Sequence, residues 1–522
     1  MALTARVLAA AGCFACLVMG QTAHADTLVQ AIVLAYQSNP TLQSQRYDLK
    51  ALDETYMRAF AALRPTGELD VTGDYTDTRA GNDTQALRLA ADPTVGRRLT
   101  ANKDDIRLVV EQLLYSGGKA RAAIDASSFQ VRAGREALRA AEGDVLLQVI
   151  TAYEDVLRDG QSLQVRRDDV DTLRRQLEMT TARQVAGEVT RTDVEQARAQ
   201  LQADEAQLTL AEAQLQASHA TYAALVGQNP GTLDAAPDLP LLPARVDDAF
   251  RIADDRSPEL QAARYTERES DRRVEAARDA GHMTVTAQTS YGVNGKLAPF
   301  DRRNQDADFT VSVNVTKPLF AGGAYESDYR QAVARNAADR LRIEVARRGV
   351  NQAILSAWNQ MTAARLNVAV QEQQLKSARI AAEGMREEFR YGQRSTLDVL
   401  VAEQALRDAQ LALIASKRDA YVARATVLRQ VGDLEARLLI VGLDLYDPSA
   451  NLRALHGRAG PLEATILGFD GLGQGGRYPA PVEPGPPSAS GGVRLAQPAA
   501  TREPDPAFGT ETPPPHATSP AK

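Results

Sequence analysis

Five histidines, two cysteines and 67 carboxylates are the raw material for any reactive centre in this 522-residue chain. The histidines stand apart: His24, His219, His282, His456 and His516 share no metal-ligand spacing. No stretch reads as a zinc-binding histidine pair, a P-loop or a nucleophile elbow. Both cysteines, Cys13 and Cys16, fall within the first 25 residues, which excludes disulfide and thiol chemistry from a chain that has lost them. Gly117-Gly118 and Gly322-Gly323 suit tight turns better than phosphate binding. The glycines between Gly471 and Gly476 lack a strand-to-helix setting. No catalysis, cofactor or metal is expected. What remains is charge at fixed positions. Glu68, Asp70 and Asp74 alternate with Leu69, Val71 and Tyr75, which puts three carboxylates on one face of an extended segment. Thr192 and Asp193 follow Gly187, and Arg394 and Asp398 follow Gly392, where such residues cap helices. The work open to these groups is electrostatic: satisfying helix ends and attracting cations.

The elements that must carry them follow from periodicity. A period of two runs through four segments, with strands predicted at about 67–76, 105–115, 283–293 and 309–320. In the second, Ile106, Leu108, Val110 and Leu114 oppose Arg107 and Glu111. Met283, Val285 and Tyr291 oppose Thr284, Thr286, Gln288 and Ser290, and Phe309, Val311, Val313 and Val315 oppose Thr310, Ser312, Asn314 and Thr316. A soluble sandwich alternates in the same way. A tilted strand crossing an outer membrane needs about 9–11 residues, which these segments supply. In lipid the charged face must line water, so Glu68, Asp70 and Asp74 are expected to face a lumen. Four strands cannot close a wall, so several copies would have to share one barrel.

Between the strand pairs lie long helical patterns. Gly118 to Ala186 and Gly323 to Tyr391 contain no proline; at 1.5 Å per residue each approaches roughly 100 Å. Each is followed by a return helix with a seven-residue seam. The first seam is Val194, Leu201, Leu208, Leu215 and Tyr222, with Ala197 and Ala211 beside it. The second is Val399, Leu406, Leu413, Ala420 and Val427, with Ala402, Ala409, Ser416 and Ala423 beside it. Aromatics are only 5% of the chain, in keeping with helices packed side by side around little filled core.

The chain is a duplication. Leu114-Tyr115-Ser116-Gly117-Gly118 recurs 205 positions later as Leu319-Phe320-Ala321-Gly322-Gly323. The same shift takes Gly187 to Gly392, Asp193-Val194 to Asp398-Val399, and Val226-Gly227 to Val431-Gly432. Upstream, Pro40, Leu42, Arg46 and Tyr47 match Pro258, Leu260, Arg264 and Tyr265 at a shift of 218. The difference of 13 residues is placed in 77–104, whose composition reads as a loop.

The remaining segments divide by composition. Residues 1–25 read as a cleaved signal peptide, with Arg6, an apolar run and Ala23-His24-Ala25; a lipid anchor at Cys13 is the other reading. Residues 26–227 and 247–447 are the two repeats, 228–246 is a linker expected at an equatorial level, and 448–522 reads as a disordered tail rich in proline and glycine. The charge of -7 is dispersed, which argues against a nucleic-acid partner.

With these features together, residues from about Asp26 to Leu445 resemble the TolC family of outer-membrane efflux and type I secretion channels. The resemblance rests on Ser38-Asn39-Pro40, the two glycine-pair strand ends, and the turns 187–194 and 391–400. It implies a mainly α fold with a small β part, in which two antiparallel coiled-coil hairpins per chain build an α-barrel. Three chains would share a 12-stranded transmembrane barrel, as a homotrimer in outer-membrane lipid with a large periplasmic extension. The conduit is passive and opens by an iris-like movement of its coiled coils. Its implied partners are a periplasmic adaptor and an inner-membrane pump, docking at the turns marked by Gly187 and Gly392. The resemblance also gives Thr192 and Asp193 a polar link to Arg394 at the closed entrance, and turns Asp398 into the pore. Two positions depart from the family pattern: Phe389 stands where a tyrosine helps lock the entrance, and Val401 where a second aspartate would lie. Without the resemblance, a periplasmic adaptor or a structural coiled coil is the alternative.

Overall fold

A computed structural model of the chain describes residues 27–456 other than 95, 299, 441, 443 and 444. The predicted signal peptide and residues 457–522 of the predicted tail lie outside the described residues.

In chain order the first half contains α1 (Leu28–Ser38), α2 (Pro40–Ala61), β1 (Thr66–Arg79), α3 (Asn82–Ala91), β2 (Arg98–Tyr115), α4 (Lys119–Val185) and α5 (Arg191–Val226). The second half contains α6 (Val246–Arg256), α7 (Pro258–Asp279), β3 (Thr284–Gly295), β4 (Asp306–Thr316), α8 (Ala324–Arg390) and α9 (Thr396–Val431). Two short helices follow, α10 (Ala436–Leu439) and α11 (Ala450–His456). The duplication is metrical: helices of 11, 22, 67 and 36 residues occur in that order in both halves.

Where one opening helix per repeat is expected, the structure has two. Proline disfavours helical backbone in the residue before it, and Asn39 and Ser257 are extended, with ψ of 123° and 121°. Asn39 accepts from the Thr41 amide at 2.9 Å, capping α2, while its Nδ2 donates to the Leu225 carbonyl at 3.0 Å, closing the end of α5. The helices α5 and α2 are thereby joined end to end. In the second half Ser257 makes no such cap, and ion pairs form the joint instead: Arg256 Nη1 of α6 lies 2.7 Å from Asp433, and Arg429 Nη2 of α9 lies 2.7 Å from Glu259 of α7.

The four strands form one antiparallel sheet in the order β1-β2-β3-β4. The fourth ends at Thr316 and not near 320, because Pro318 has no amide to give the ladder. The stretch 77–104 is not a plain loop. β1 and β2 stay paired out to Arg79 opposite Arg98, and α3 fills the connection between them. The expected tail also begins too early. Residues 448–456 include α11, which packs on α2: Asn451 Nδ2 donates to Asp53 at 2.8 Å, and Leu452 lies against the cluster of Leu49, Val131 and Leu138. Those contacts supply burial that composition alone does not reveal.

The main core is at the level where the end-to-end joints meet. Leu28, Ile32, Leu146, Ile150, Tyr153, Tyr222, Leu239 and Leu428 are buried there together. The segment 228–245 has neither helix nor strand and wraps this level. Tyr153 and Tyr421 donate their hydroxyls to the Asp234 and Pro237 carbonyls at 2.8 and 2.7 Å, and Arg424 donates to the Leu239 carbonyl at 2.7 Å. Below it the helices lie in the order α5-α4-α9-α8, two hairpins joined along α4 and α9; above it α2 flanks α4, and α7 sits between α4 and α8.

Candidate functional site

The sheet sorts its residues by chemistry. Residues directly opposite in antiparallel strands share a face. The register Leu69↔Leu108↔Tyr291↔Phe309 therefore puts four large apolar side chains in one row. Val71, Val110, Val311, Val313 and Val315 lie on the same face, and Leu69, Val71 and Phe309 are about two-thirds exposed. The opposite face carries Glu68, Asp70, Asp74, Asp105, Glu111, Asp306 and Asp308 against Arg107 and Lys103. The row Asp70↔Arg107↔Gly292↔Asp308 crosses all four strands. Arg107 pairs with Asp105 at 3.1 Å and reaches Asp308 at 3.8 Å over Gly292. A Cβ at Gly292 would lie 3.3 Å from Arg107 Nε, so the missing side chain keeps that path open. All three predicted acidic strand residues are on this polar face.

At the far end of the hairpins the turns are built alike. Gly187 and Gly392 have φ of +80° and +74°. The Glu188 and Gln393 amides donate back to the Arg183 and Glu388 carbonyls, both at 2.9 Å, a helix-ending motif that favours glycine. Thr190 and Ser395 then cap α5 and α9. Asp193 accepts from the Thr190 amide and hydroxyl, both at 2.8 Å, and Asp398 accepts from the Ser395 amide and hydroxyl at 3.0 and 2.8 Å. These are reciprocal capping boxes. Hydrogen bonds from the Thr190 side chain and amide hold Asp193 below the usual carboxylate range, and those from Ser395 do the same for Asp398.

Within one chain the polar pair expected at the entrance is not assembled. Arg394 donates to Glu388 of its own hairpin at 2.7 Å, which raises its pKa, while Asp193 is engaged with Thr190; Thr192 is exposed. The two hairpins touch near their tips by a different contact: the Arg183 guanidinium lies over the Phe389 ring, 4.9 Å from its centre. A phenylalanine is sufficient there because the ring face attracts the cation. Val401 is 58% exposed.

Sequence reading missed the charge inside the seam between the hairpins. Asp204 occupies a seam position of α5 where the heptad calls for an apolar residue, and it is buried beside Arg407 of α9 at 2.9 Å. That break in the pattern is the signal that was available.

The model of the outer membrane efflux protein family matches residues 31–228 and 250–433, both halves of the duplication. The chain belongs to the outer membrane efflux protein family. It is 32% identical over 436 residues to the outer membrane efflux protein BepC of Brucella suis, covering 84% of this chain and 92% of that one. It is 24% identical over 439 residues to the outer membrane protein TolC of Escherichia coli, covering 80% and 84%. Among solved structures, the CmeC outer membrane channel of Campylobacter jejuni superposes with a TM-score of 0.69 at 16% identity, covering 82% of this chain and 89% of that one, a likeness of fold. This efflux protein is thus an outer-membrane channel component, with its sheet in the membrane and its long helices in the periplasm. The family consists of channels and not enzymes. The adaptor and plain coiled-coil alternatives fall with this assignment.

Proposed function

We propose that the chain is one third of a passive export duct, without catalysis of its own. Three copies complete a 12-stranded barrel, which stands on a periplasmic α-barrel of twelve helices. The observation that carries this reading is a sheet that is apolar on one face and acidic on the other, yet open at both edges. Unpaired edges are not tolerated in lipid, and β4 of one copy pairing with β1 of the next removes them all. The acidic face then lines water. Glu68, Asp70 and Asp74 of three copies concentrate cations in the lumen.

The entrance lies at the hairpin turns. A single ring of three Asp398 carboxylates surrounds the axis there, and Thr192 and Asp193 of one chain meet Arg394 of its neighbour when the entrance is shut. Gly187 and Gly392 mark the surface that receives a periplasmic adaptor, which couples the duct to an inner-membrane pump. The two repeats and the linker at the equatorial level are the units of this assembly, and the leader is cleaved before it forms.

The purified protein is expected to run as a trimer in mild detergent and to conduct in planar bilayers with cation preference. Neutralising Glu68, Asp70 and Asp74 together should reduce that preference, measured as reversal potential in a salt gradient. An unchanged reversal potential would remove these residues from the lumen, and a detergent-free soluble monomer would end the proposal.

A further inference from the structure

The two hairpins of one chain are tied along α4 and α9 by three arginines. Arg407, Arg418 and Arg429 are eleven residues apart on α9, an interval of three turns that keeps them in one row. Each reaches a carboxylate on α4. Arg407 Nη1 lies 2.6 Å from Asp169 and 2.9 Å from Asp204 of α5; Arg418 Nε lies 2.8 Å from Asp155, and Arg429 Nε 2.7 Å from Asp144. Arg407 and Arg429 are buried. Arg429 fits because α4 has Gly143 beside it, where a Cβ would sit 2.7 Å from the arginine Cδ.

The duplication supplies a control within the same molecule. The shift of 205 carries α4 onto α8, and its reverse carries α9 onto α5. In a ring the helices run α5-α4-α9-α8 and the next copy's α5 follows α8. The seam between chains is therefore the repeat image of the seam within a chain. The images of the three arginines are Gln202, Ala213 and Ala224; those of their α4 carboxylates are Gln374, Gln360 and Gly349, and Asp204 becomes Ala409. None carries charge, and the image of Gly143 is Arg348. A buried guanidinium between carboxylates is costly to pull apart, since parting leaves desolvated charge without a partner. The counterpart rungs hold no ion pair and bear no such penalty.

We infer that Arg407, Arg418 and Arg429 lock the two hairpins of each chain into one moving body, so that the entrance opens along the seams between chains. This rests on the ring arrangement proposed above.

The test uses two pairs of introduced cysteines in the full-length channel. A guanidinium–carboxylate pair spans more than a disulfide does, so a short bis-thiol reagent closes each pair. Bridging Asp169→Cys to Arg407→Cys within a chain should leave open occupancy in planar bilayers within about twofold of the unbridged channel, a small fraction of a typical coupling. Bridging Gln202→Cys to Gln374→Cys between chains should abolish opening. Moving one rung to the seam between chains, as Q202R with Q374D and A409D, should lower open occupancy on the order of tenfold. Equal block by both bridges, or free opening with the bridge between chains in place, overturns the inference. If no cross-linked species between chains forms at 202 and 374, the ring order itself is wrong, and the inference falls with it.

Discussion

Gly227 and Gly432 are repeat images with the same backbone and different surroundings, which makes alanine at each a graded test of the end-to-end helix joints. Both have left-handed φ, +91° and +87°. That conformation costs a side chain about 1–2 kcal/mol, offset by about 0.4–1 kcal/mol from a stiffer unfolded chain. At Gly227 the new Cβ meets one atom, the rotatable Ser38 hydroxyl oxygen at 3.3 Å. G227A should therefore lose about 1 kcal/mol or less. At Gly432 the Cβ would lie 2.5 Å from the Arg256 carbonyl oxygen and 2.9 Å from its carbon. Those are backbone atoms, held by the Arg256–Asp433 pair and by Arg429 on Glu259 at 2.7 Å, so the joint between α9 and α7 must open. Forced overpacking adds roughly 1–3 kcal/mol, for a total of roughly 1–4 kcal/mol. Apparent midpoints of thermal denaturation in detergent, taken at one scan rate because such unfolding is irreversible, should fall further for G432A. G432A should also be cut faster by protease near residue 256. Equal losses, or the larger loss at Gly227, would refute the account of the joints.

Glu154 is buried in the seam beside Arg418 and Tyr421, and burial pushes its carboxyl up to about 7. Because the folded value lies above the usual 4.5, the charged form is what burial penalises. The penalty is absent below about 4.5, grows as pH rises through the folded value and is complete above about 7. Cooling-free melts at pH 6 and pH 8 should find the native protein more stable at pH 6, with E154Q abolishing most of the difference; an E154Q protein with the same pH dependence refutes the assignment. On the sheet, Val313→Arg should cost assembly about 2–4 kcal/mol by putting charge into lipid, whereas Asn314→Arg on the opposite face should cost little; trimer yield after refolding into lipid distinguishes them. Ser395→Ala removes the hydroxyl half of a capping box and should destabilise the start of α9 by about 1 kcal/mol, seen as faster amide exchange at 396–399. Unchanged exchange would mean that the cap does not hold this turn.

The strands and the long helices were legible because both advertise themselves over many residues. Alternation through Leu69, Val71 and Tyr75 could be read without a partner strand, and a shift that holds from Leu114 to Gly227 does not arise by chance. Short-range breaks were less visible. Pro40 and Pro258 were noticed as repeat marks, yet they also divide each opening helix, a consequence of sterics on Asn39 and Ser257. Helix α11 stands at the head of a segment rich in proline and glycine and is hidden by that composition, since its stability comes from Asp53 and Leu49 some four hundred residues away. At the turns, position alone suggests that Thr192, Asp193 and Asp398 cap their helices; the N-caps are instead Thr190 and Ser395, with Asp193 and Asp398 as their partners three residues on. The seam arginines were the least legible part. Arg407 and Asp169 are 238 positions apart, and nothing local couples them.

An even number of strands returns the chain to the side from which it entered. The β1–β2 and β3–β4 connections, residues 80–97 and 296–305, thus share the end of the sheet farthest from the helices. With the long helices in the periplasm, these two short stretches stand on the outer side of the membrane. One holds a ten-residue helix and the other a single turn at Arg302–Asn304, so the two halves differ most where neither the duct nor its joints constrain them. Epitope tags and fluorescent labels belong there.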